Sequence, residues 1–451
     1  MMSNYEKETI VSVIIPCFNA ENNIEALIES IVQQTYKNIE IIIVDDGSTD
    51  RSRDIIRKWS EADSRIRYLY QSNSNAGVAR NNGLDNCSGD YAIFIDADDA
   101  VDTCMIEHLL SIAERKNADI VYYDAVFEDY VTKKRYSKPG FVNREIVEGL
   151  DVFSSLDVSE SILQVTSPVP WNKFYKVSFL KQINIRFQNL KRSNDEFFSG
   201  MTMILANRIA FLDEKLYIYR AGNPNSLQGY GGEQASVDFY YAHLAIKEEL
   251  ERRNIYSIYE KTLIKKVISA TLSVLSKQME FGKYEYILDF TRDNIFESFN
   301  ILSAMKQYHI SNYQFEMIGK TSTCGEYLWK IMIYNQKASD KNAGTKTDFE
   351  AIVRECLKAD DRLIAIYGAG YYGERIKEVI LKHKDKYELV GWFDKRYEEL
   401  KDKGYEVSSP DDIEGVSFDR IIIAIQNKKV QKEVFKYLQG NNVPLEKIVT
   451  V

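Results

Sequence analysis

Few cysteines and histidines occur in the sequence, and this limits the cross-links and metal sites that the chain can form. Its 451 residues include five cysteines, and none of them forms a Cys-x-x-Cys pair. An odd number at irregular spacing fits a reducing cytoplasm better than a disulfide framework. The four histidines and the cysteines do not provide the two closely spaced ligand pairs of a structural zinc site.

Long apolar runs and an excess of positive charge are also missing. No stretch approaches the roughly 20 apolar residues of a membrane-spanning helix, and MMSNYEKETI lacks the apolar core of a signal peptide. The formal net charge of −9 argues against a nucleic-acid partner, since phosphate binding needs excess Lys and Arg. The expected location is the cytoplasm. Peripheral attachment to the inner face of the membrane stays open.

From Val11 to Asp102, short apolar segments alternate with segments of helical periodicity. Near-continuous apolar strands separated by helices predict an α/β fold with a mainly parallel central sheet, whose ligands bind beyond the carboxyl ends of the strands. The predicted strands are VSVIIPCF, IEIIIVDDGS, RIRYLYQS and YAIFIDADD, and the predicted helices are AENNIEALIESIVQQT, TDRSRDIIRKWSE and GVARNNGLDNC.

Three domains are predicted along the chain: an α/β domain over residues 1–230, a helical connector with its linker over 231–345, and a small Rossmann-like α/β domain over 346–451. The connector contains almost no Gly or Pro, and the polar segment KASDKNAGTKTD predicts the linker. The last domain begins a second strand–helix alternation with LIAIYGAGYYGERIKEVILKHK. A homo-oligomer formed through the helical or C-terminal region stays open.

Four acidic residues gather where the fourth predicted strand ends, in FIDADDAVD. A cation would stabilise Asp96, Asp98 and Asp99 together, and oxygen ligands without histidine suit Mg²⁺ or Mn²⁺. Alternate side chains of an extended chain share a face, so Asp96 and Asp98 could face one ligand while Asp99 turns away. The alternative is a solvated turn whose Asp residues cap the next helix.

The segments VSVIIPCFNAE, IIIVDDGSTD, GVARNNG and FIDADD, in this order, resemble the family 2 glycosyltransferases, which have the GT-A fold. The resemblance covers about residues 10–227 and includes WNKFYKVSFL, NDEFF and LYIYR. It implies an inverting, metal-dependent transferase with a nucleoside-diphosphate sugar donor, UDP being the expected nucleotide. The implied acceptor is a hydroxyl of a glycan, lipid-linked or polyol-phosphate polymer in bacterial cell-surface polysaccharide assembly.

For the nucleotide, the resemblance implies roles for five residues. Pro16 and Asn19 would border the base, and Asp46, together with Asp45, would accept hydrogen bonds from the base and ribose. Arg80 would contact the diphosphate. The alternatives are that DDGS is an ordinary turn and cap sequence and that Arg80 forms a surface ion pair.

For the metal, the resemblance implies that Asp98 and Asp99 hold Mn²⁺ or Mg²⁺ while Asp96 contacts the ribose or the sugar. The cation would offset the charge that grows on the departing diphosphate. Arg220 lies in a segment that resembles the family's mobile loop over the diphosphate, as does Ser226.

On the acceptor side, Asp195 of NDEFF matches the family's catalytic base, and Glu196 is the fallback. The sequence departs from the family at Asn194, where an acid is common. Asp195 could instead, or also, cap the helix that follows it. Trp171 lies near the implied acceptor pocket, where it could stack on a sugar, although a Trp in such a segment is more often part of the core.

In the last domain, Gly368, Gly370 and Gly373 follow the strand LIAIY, and Asp394 ends the next strand. This pattern matches the dinucleotide fingerprint and predicts either a second nucleotide site or a structural or dimerising domain. Two alternatives to the glycosyltransferase therefore stay open. One is a nicotinamide-dependent nucleotide-sugar epimerase or dehydrogenase, and the other is a sugar-nucleotide-binding scaffold without turnover.

Overall fold

The computed structural model describes most of the chain, which divides into two compact units, Met1–Tyr327 and Leu328–Val451. The predicted helical connector belongs largely to the first unit, and the predicted linker lies outside the described residues. The described ranges are 8–137, 141–222, 236–278, 280–328, 330–331, 349–402, 405–425 and 428–450.

A ten-stranded mixed sheet forms the centre of the first unit. Its strands are β1 (Val11–Cys17), β2 (Ile39–Asp45), β3 (Ile66–Tyr70), β4 (Tyr91–Phe94), β5 (Ala100–Val101), β6 (Ile120–Asp129), β7 (Arg135–Tyr136), β8 (Val152–Phe153), β9 (Lys173–Lys176) and β10 (Ile209–Ala221). Their order is β3-β2-β1-β4-β9-β6-β10-β5, with β7 beside β6 and β8 beside β10. Strands β1 to β4 are parallel, as predicted, whereas β9 runs antiparallel to both of its neighbours.

Seven α-helices accompany this sheet in the part of the chain that the structure describes. The four residues of α1 that recur at helical spacing, Ile24, Leu27, Ile28 and Ile31, are all buried, so periodicity alone identified the packed face. The helices are α1 (Ile24–Val32), α2 (Ser52–Ala62), α3 (Ala76–Asp85), α4 (Met105–Arg115), α5 (Ile162–Val165), α6 (Val177–Ile183) and α7 (Glu196–Leu205).

The helical region packs on the same unit. Its helices are α8 (Asp238–Arg252), α9 (Tyr256–Ser276), α10 (Phe281–Phe290), α11 (Phe296–Ser298), α12 (Ile301–Gln307) and α13 (Tyr313–Lys320), with a π-helical turn at Thr291–Ile295. Contacts join α8 to α7, and α9 to α5. No helix among the described residues is long and apolar enough to cross a membrane.

The second unit is a small parallel α/β domain, as predicted. Its sheet order is β12-β11-β13-β14. The strands are β11 (Leu363–Tyr367), β12 (Glu388–Phe393), β13 (Arg420–Ile423) and β14 (Ile448–Thr450), and the helices are α14 (Phe349–Cys356), α15 (Tyr371–Lys382), α16 (Tyr397–Asp402) and α17 (Lys428–Gly440).

The glycine turn between β11 and α15 depends on close backbone approach. Gly368 has a φ of +106°, which favours glycine. A Cβ on Gly373 would lie 1.9 Å from the carbonyl oxygen of Gly368, whereas a Cβ on Gly370 would meet nothing within 4 Å. The third glycine therefore has a packing role whether or not a nucleotide binds.

Gly373→Ala should destabilise the second unit because the methyl group would force α15 away from the turn. We expect a loss of about 1–3 kcal/mol, the usual cost of overpacking. Calorimetric unfolding of the full chain measures this, with Gly370→Ala as the matched control. Equal effects of the two substitutions would contradict the packing role.

Candidate active site

Asp45 and Asp46, the acids predicted to bind the nucleotide, lie at the end of β2. Both carboxylate oxygens of Asp45 accept hydrogen bonds. Asp45 is buried and accepts hydrogen bonds from the Ser48 amide (2.8 Å), Arg53 Nε (3.1 Å) and the Tyr68 hydroxyl (3.0 Å). These partners come from the following turn, from α2 and from β3. Asp45 therefore joins three elements, and its role as a ligand stays a prediction.

Asp46 orders the segment that leads into α3. Its carboxylate accepts from Gln71 Nε2 (2.8 Å) and from the amides of Ser74 and Asn75 (both 2.9 Å). The Asn75 side chain in turn accepts from the Val78 amide and caps α3. The helix that carries Arg80 is thus anchored to the end of β2.

At the end of the first strand, Pro16 is buried and Asn19 is exposed with a φ of +48°. Asn19 Oδ1 accepts from the Thr49 amide at 2.8 Å, which ties this turn to the one after β2. Phe18 and Tyr70, at the ends of β1 and β3, leave 50% and 55% of their surface exposed. Sequence reasoning missed these two rings, although exposed aromatic residues at strand ends suit a planar base.

The acids after β4 divide between two faces, as the alternation predicts. Asp96 and Asp98 are partly exposed, whereas Asp99 is buried at 1% exposure. Asp99 accepts from the Tyr217 hydroxyl (2.7 Å) and the Arg220 amide (2.8 Å). Burial, followed by the charges of Asp98 and Asp96, raises the pKa of Asp99 well above its ordinary value.

Arg80 connects the acidic turn, which we define as residues 96–99, to the NDEFF segment, residues 194–198. Its guanidinium is 6% exposed, and it donates from Nη2 to Asp96 Oδ1 (2.7 Å) and from Nη1 to Asn194 Oδ1 (3.1 Å). The cation also lies 5.5 Å from the ring centroid of Phe187. Arg80 is therefore a buried link rather than a surface ion pair, and its contact with a diphosphate stays a prediction.

Asp195 stands at the N-cap position of α7 but makes no capping hydrogen bond, so that alternative does not account for its carboxylate. The side chain is partly exposed. Burial of the carboxylate, followed by the charge of Glu196, raises the pKa of Asp195 to about 6. A carboxylate with such a pKa, in a partly exposed residue, is suited to accept a proton near neutral pH.

Lys173 of β9 has no exposed surface and interacts electrostatically with Asp195 and Glu196, the acidic pair of NDEFF. Its ammonium donates to the carbonyls of Ser167 and Val169 (both 2.9 Å) and to Asn172 Oδ1 (2.8 Å). Burial lowers the pKa of Lys173 to about 7. Sequence reasoning assigned no role to this residue, because a lysine in a strand gives no local sign of burial.

The structure corrects the acceptor-side prediction for Trp171. The indole is 1% exposed and stacks on the ring of Tyr217, with centroids 4.3 Å apart and planes 10° apart. Phe141 packs edge-on against it at 4.6 Å. Trp171 is therefore a core residue in this structure and is not available to stack on a sugar.

Arg220 is held by protein groups on two sides. Its amide bonds Asp99, and its Nε lies 3.3 Å from Glu128 Oε1, which also pairs with Arg135 at 3.3 Å. Ser226 and the rest of the predicted mobile loop lie outside the described residues. The diphosphate role of Arg220 stays a prediction.

In the second unit, Asp394 closes the glycine turn. Its Oδ2 accepts from the Ala369 amide at 2.7 Å, and its Oδ1 accepts from the Arg396 amide at 2.9 Å. The hydrogen bonds and the Arg396 charge lower the pKa of Asp394, although burial alone would raise it. These contacts favour the structural alternative over ribose binding.

Tyr217→Phe tests whether the hydrogen bond from the Tyr217 hydroxyl to Asp99 stabilises the acidic turn. Deleting the hydroxyl removes one of the two hydrogen bonds that the buried Asp99 carboxylate accepts, which should cost about 1.5–3 kcal/mol of unfolding free energy. Urea unfolding measures the loss. Tyr122→Phe is the matched control, because its buried hydroxyl has no hydrogen-bond partner among the described residues and its removal should cost little. Equal losses would refute this account.

Comparison with known proteins identifies the family of the first unit and a relative of the second. The chain matches the sequence model of Glycosyl transferase family 2 over residues 12–183 and that of the PglD N-terminal domain over residues 363–438. The crystal structure of S. aureus TarS 1-349 in complex with UDP-GlcNAc aligns with a TM-score of 0.52 at 20% identity, over 69% of this chain and 90% of that one. At this identity the likeness shows a shared fold.

Two sequence relatives come from Streptococcus pneumoniae. Glycosyltransferase GlyA is 33% identical over 218 residues, which are 47% of this chain and 30% of GlyA. Glycosyltransferase GlyG is 34% identical over 220 residues, which are 47% of this chain and 70% of GlyG. This chain thus spans less than a third of the first relative but more than two thirds of the second. Together with the family match, these similarities show that the chain belongs to glycosyltransferase family 2.

Proposed function

We propose that this protein transfers a sugar, with inversion, from a nucleoside-diphosphate sugar to a hydroxyl acceptor, and that the transfer depends on a divalent cation. The observation that carries the proposal is the link made by Arg80. One buried guanidinium binds both the acidic turn after β4 and the residue that precedes Asp195. It thereby fixes the distance between a site for the leaving group and a base for the acceptor.

UDP is the proposed nucleotide. The TarS structure of the same fold contains UDP-GlcNAc, which supports a UDP-sugar. The exposed rings of Phe18 and Tyr70 and the carboxylate of Asp46 border the ends of the first three strands, where a base and ribose would bind. Family membership favours this donor chemistry over the nicotinamide-dependent and scaffold alternatives.

The acidic turn fits a hard cation such as Mn²⁺ or Mg²⁺. Among the described residues, no three acidic, histidine or cysteine side chains form a closed metal site. Mg²⁺, however, is often held by one or two carboxylates together with substrate phosphates. Asp98 and Asp96 are partly exposed, and each Asp99 oxygen keeps a lone pair beyond its hydrogen bond. When bound, the cation would neutralise charge on the departing diphosphate.

In the proposed reaction, Asp195 takes the proton of the acceptor hydroxyl as the hydroxyl oxygen attacks C1 of the sugar. The bond between C1 and the diphosphate oxygen breaks on the opposite face, and its electron pair leaves with the nucleoside diphosphate. The pKa of about 6 leaves Asp195 mainly ionised at pH 7. Arg80 keeps Asp96 and the start of α7 in register during this step.

The proposed acceptor is a hydroxyl of a glycan, lipid-linked or polyol-phosphate polymer in bacterial cell-surface polysaccharide assembly. This assignment rests on family context. We place the reaction in the cytoplasm, at the inner face of the membrane where the acceptor is lipid-linked. No nucleic-acid partner is proposed, in keeping with the net charge of −9.

Asp195→Asn should retain UDP binding but lower kcat by about 10²–10⁴-fold, the usual contribution of a general base. In the unaltered protein, kcat/KM should fall about tenfold per pH unit below about pH 6, because protonation of Asp195 removes the base. Isothermal titration with UDP and transfer rates from pH 5 to 8 measure these effects. Asp385→Asn, an exposed acid of the second unit, is the control. Undiminished turnover of Asp195→Asn would assign the base elsewhere.

Mn²⁺ and UDP together should raise the melting temperature more than UDP with a chelator, because a ligand that binds only the folded state stabilises it. At a ligand concentration of 100 times Kd, the folded state is stabilised by about 2.7 kcal/mol. Asp98→Asn should remove the metal-dependent part and leave the shift that UDP alone produces. Identical shifts with Mn²⁺ and with chelator in the unaltered protein would exclude the cation from nucleotide binding.

A further inference from the structure

The second acid of the pair, Glu196, faces the helical region. Its Oε2 lies 3.6 Å from Nε2 of His243 on α8 and 3.6 Å from Nζ of Lys266 on α9. His243 is fully buried, and the side chains of Glu196 and Lys266 are 15% and 16% exposed. Both partners lie beyond residues 12–183, the segment that matches the family model.

Two hydrogen-bond acceptors face each other in this cluster, His243 Nε2 and Glu196 Oε2. His243 Nδ1 lies 2.6 Å from the Phe239 carbonyl oxygen, which can only accept, so Nδ1 carries the ring proton. Burial lowers the pKa of His243, which favours the neutral ring with Nε2 as an acceptor. Nε2 and Glu196 Oε2 are then two acceptors without a hydrogen bond among the described residues, and the Lys266 ammonium, 3.6 Å from Oε2, is the positive charge that stabilises Glu196 there.

A small cavity completes the cluster. It has a volume of about 10 Å³, and Glu196, Ser199, Lys173 and Lys266 are among the residues that line it. Ser199 Oγ and Glu196 Oε2 are buried atoms without a hydrogen-bond partner among the described residues.

We propose that Lys266 is a positioning residue whose charge holds Glu196 towards the helices and fixes the negative charge beside Asp195, while the neutral His243 ring packs against the same carboxylate. We call Glu196, His243 and Lys266 the helical clamp. The inference rests on the function proposed for Asp195. It makes α8 and α9 part of the catalytic apparatus rather than a connector, since they determine where the second carboxylate of the acidic pair lies.

The charged groups around the pair come from five elements. Glu196 faces His243 and Lys266, and Lys173 of β9 interacts with both acids. Asp195 interacts in addition with Arg80 of α3, which lowers its pKa, and with Asp96 after β4, which raises it. After burial, the charge of Glu196 is the largest cause that raises the pKa of Asp195. Changes to the clamp should therefore move the acid limb of the pH profile of kcat/KM.

Glu196→Gln and Lys266→Met should move that limb in opposite directions. Glu196→Gln removes a negative charge, so the pKa of Asp195 falls and the limb of kcat/KM moves down by about half to one pH unit. Lys266→Met leaves Glu196 uncompensated, so the limb moves up by a similar amount, and Lys266→Arg should restore it. Lys277→Met, which alters an exposed lysine immediately after α9, is the matched control.

A lower rate with an unmoved limb in both clamp variants would overturn the proposal, because a merely structural role predicts that result. Melting temperatures also test the contact between Glu196 and Lys266, without any transfer reaction. The losses in melting temperature of Glu196→Gln and Lys266→Met at pH 7.5 should not add in the double variant, whereas each should add to that of Lys277→Met. Additive clamp losses would overturn the proposal. Absence of transfer by the unaltered protein would refute the proposed function. The melting temperatures of the single and double variants would still show whether Glu196 and Lys266 interact.

Discussion

The bridge that Arg80 makes between Asp96 and Asn194 is the interaction on which the site depends. A guanidinium that is 6% exposed must have partners, because an unpaired buried charge is costly. Here one partner follows the fourth strand and the other precedes α7, and the two lie almost 100 positions apart in the chain. The bridge thereby holds two separate motifs together, the acidic turn after β4 and the segment that carries Asp195.

The residues around this bridge extend beyond the segment that the family model matches. Residues 12–183 include the acidic turn, but Asp195, Tyr217 and the helical clamp all follow that segment. Tyr217 supports Asp99 from β10, and α8 and α9 contact Glu196. The helical region therefore shares one compact unit with the sheet, and it contacts the acid that follows Asp195, the proposed base.

The sequence predicted those parts of the molecule that local patterns determine. The parallel strands, the helix periodicity of α1 and the division of Asp96 and Asp98 from Asp99 follow from spacing within short segments. The core position of Trp171 and the engagement of Asp45 by Arg53 and Tyr68 depend on residues that are distant in sequence. A pattern that is confined to one segment cannot contain that information.

Stacking of Trp171 on Tyr217 has a spectroscopic consequence. The indole lies 4.3 Å from a ring whose hydroxyl bonds Asp99 directly. Indole emission depends on neighbouring charge and ring geometry, so its fluorescence would respond to changes in the electric field of the acidic turn. The chain has four tryptophans, and this one supplies an intrinsic optical probe at a depth that an external dye would not reach.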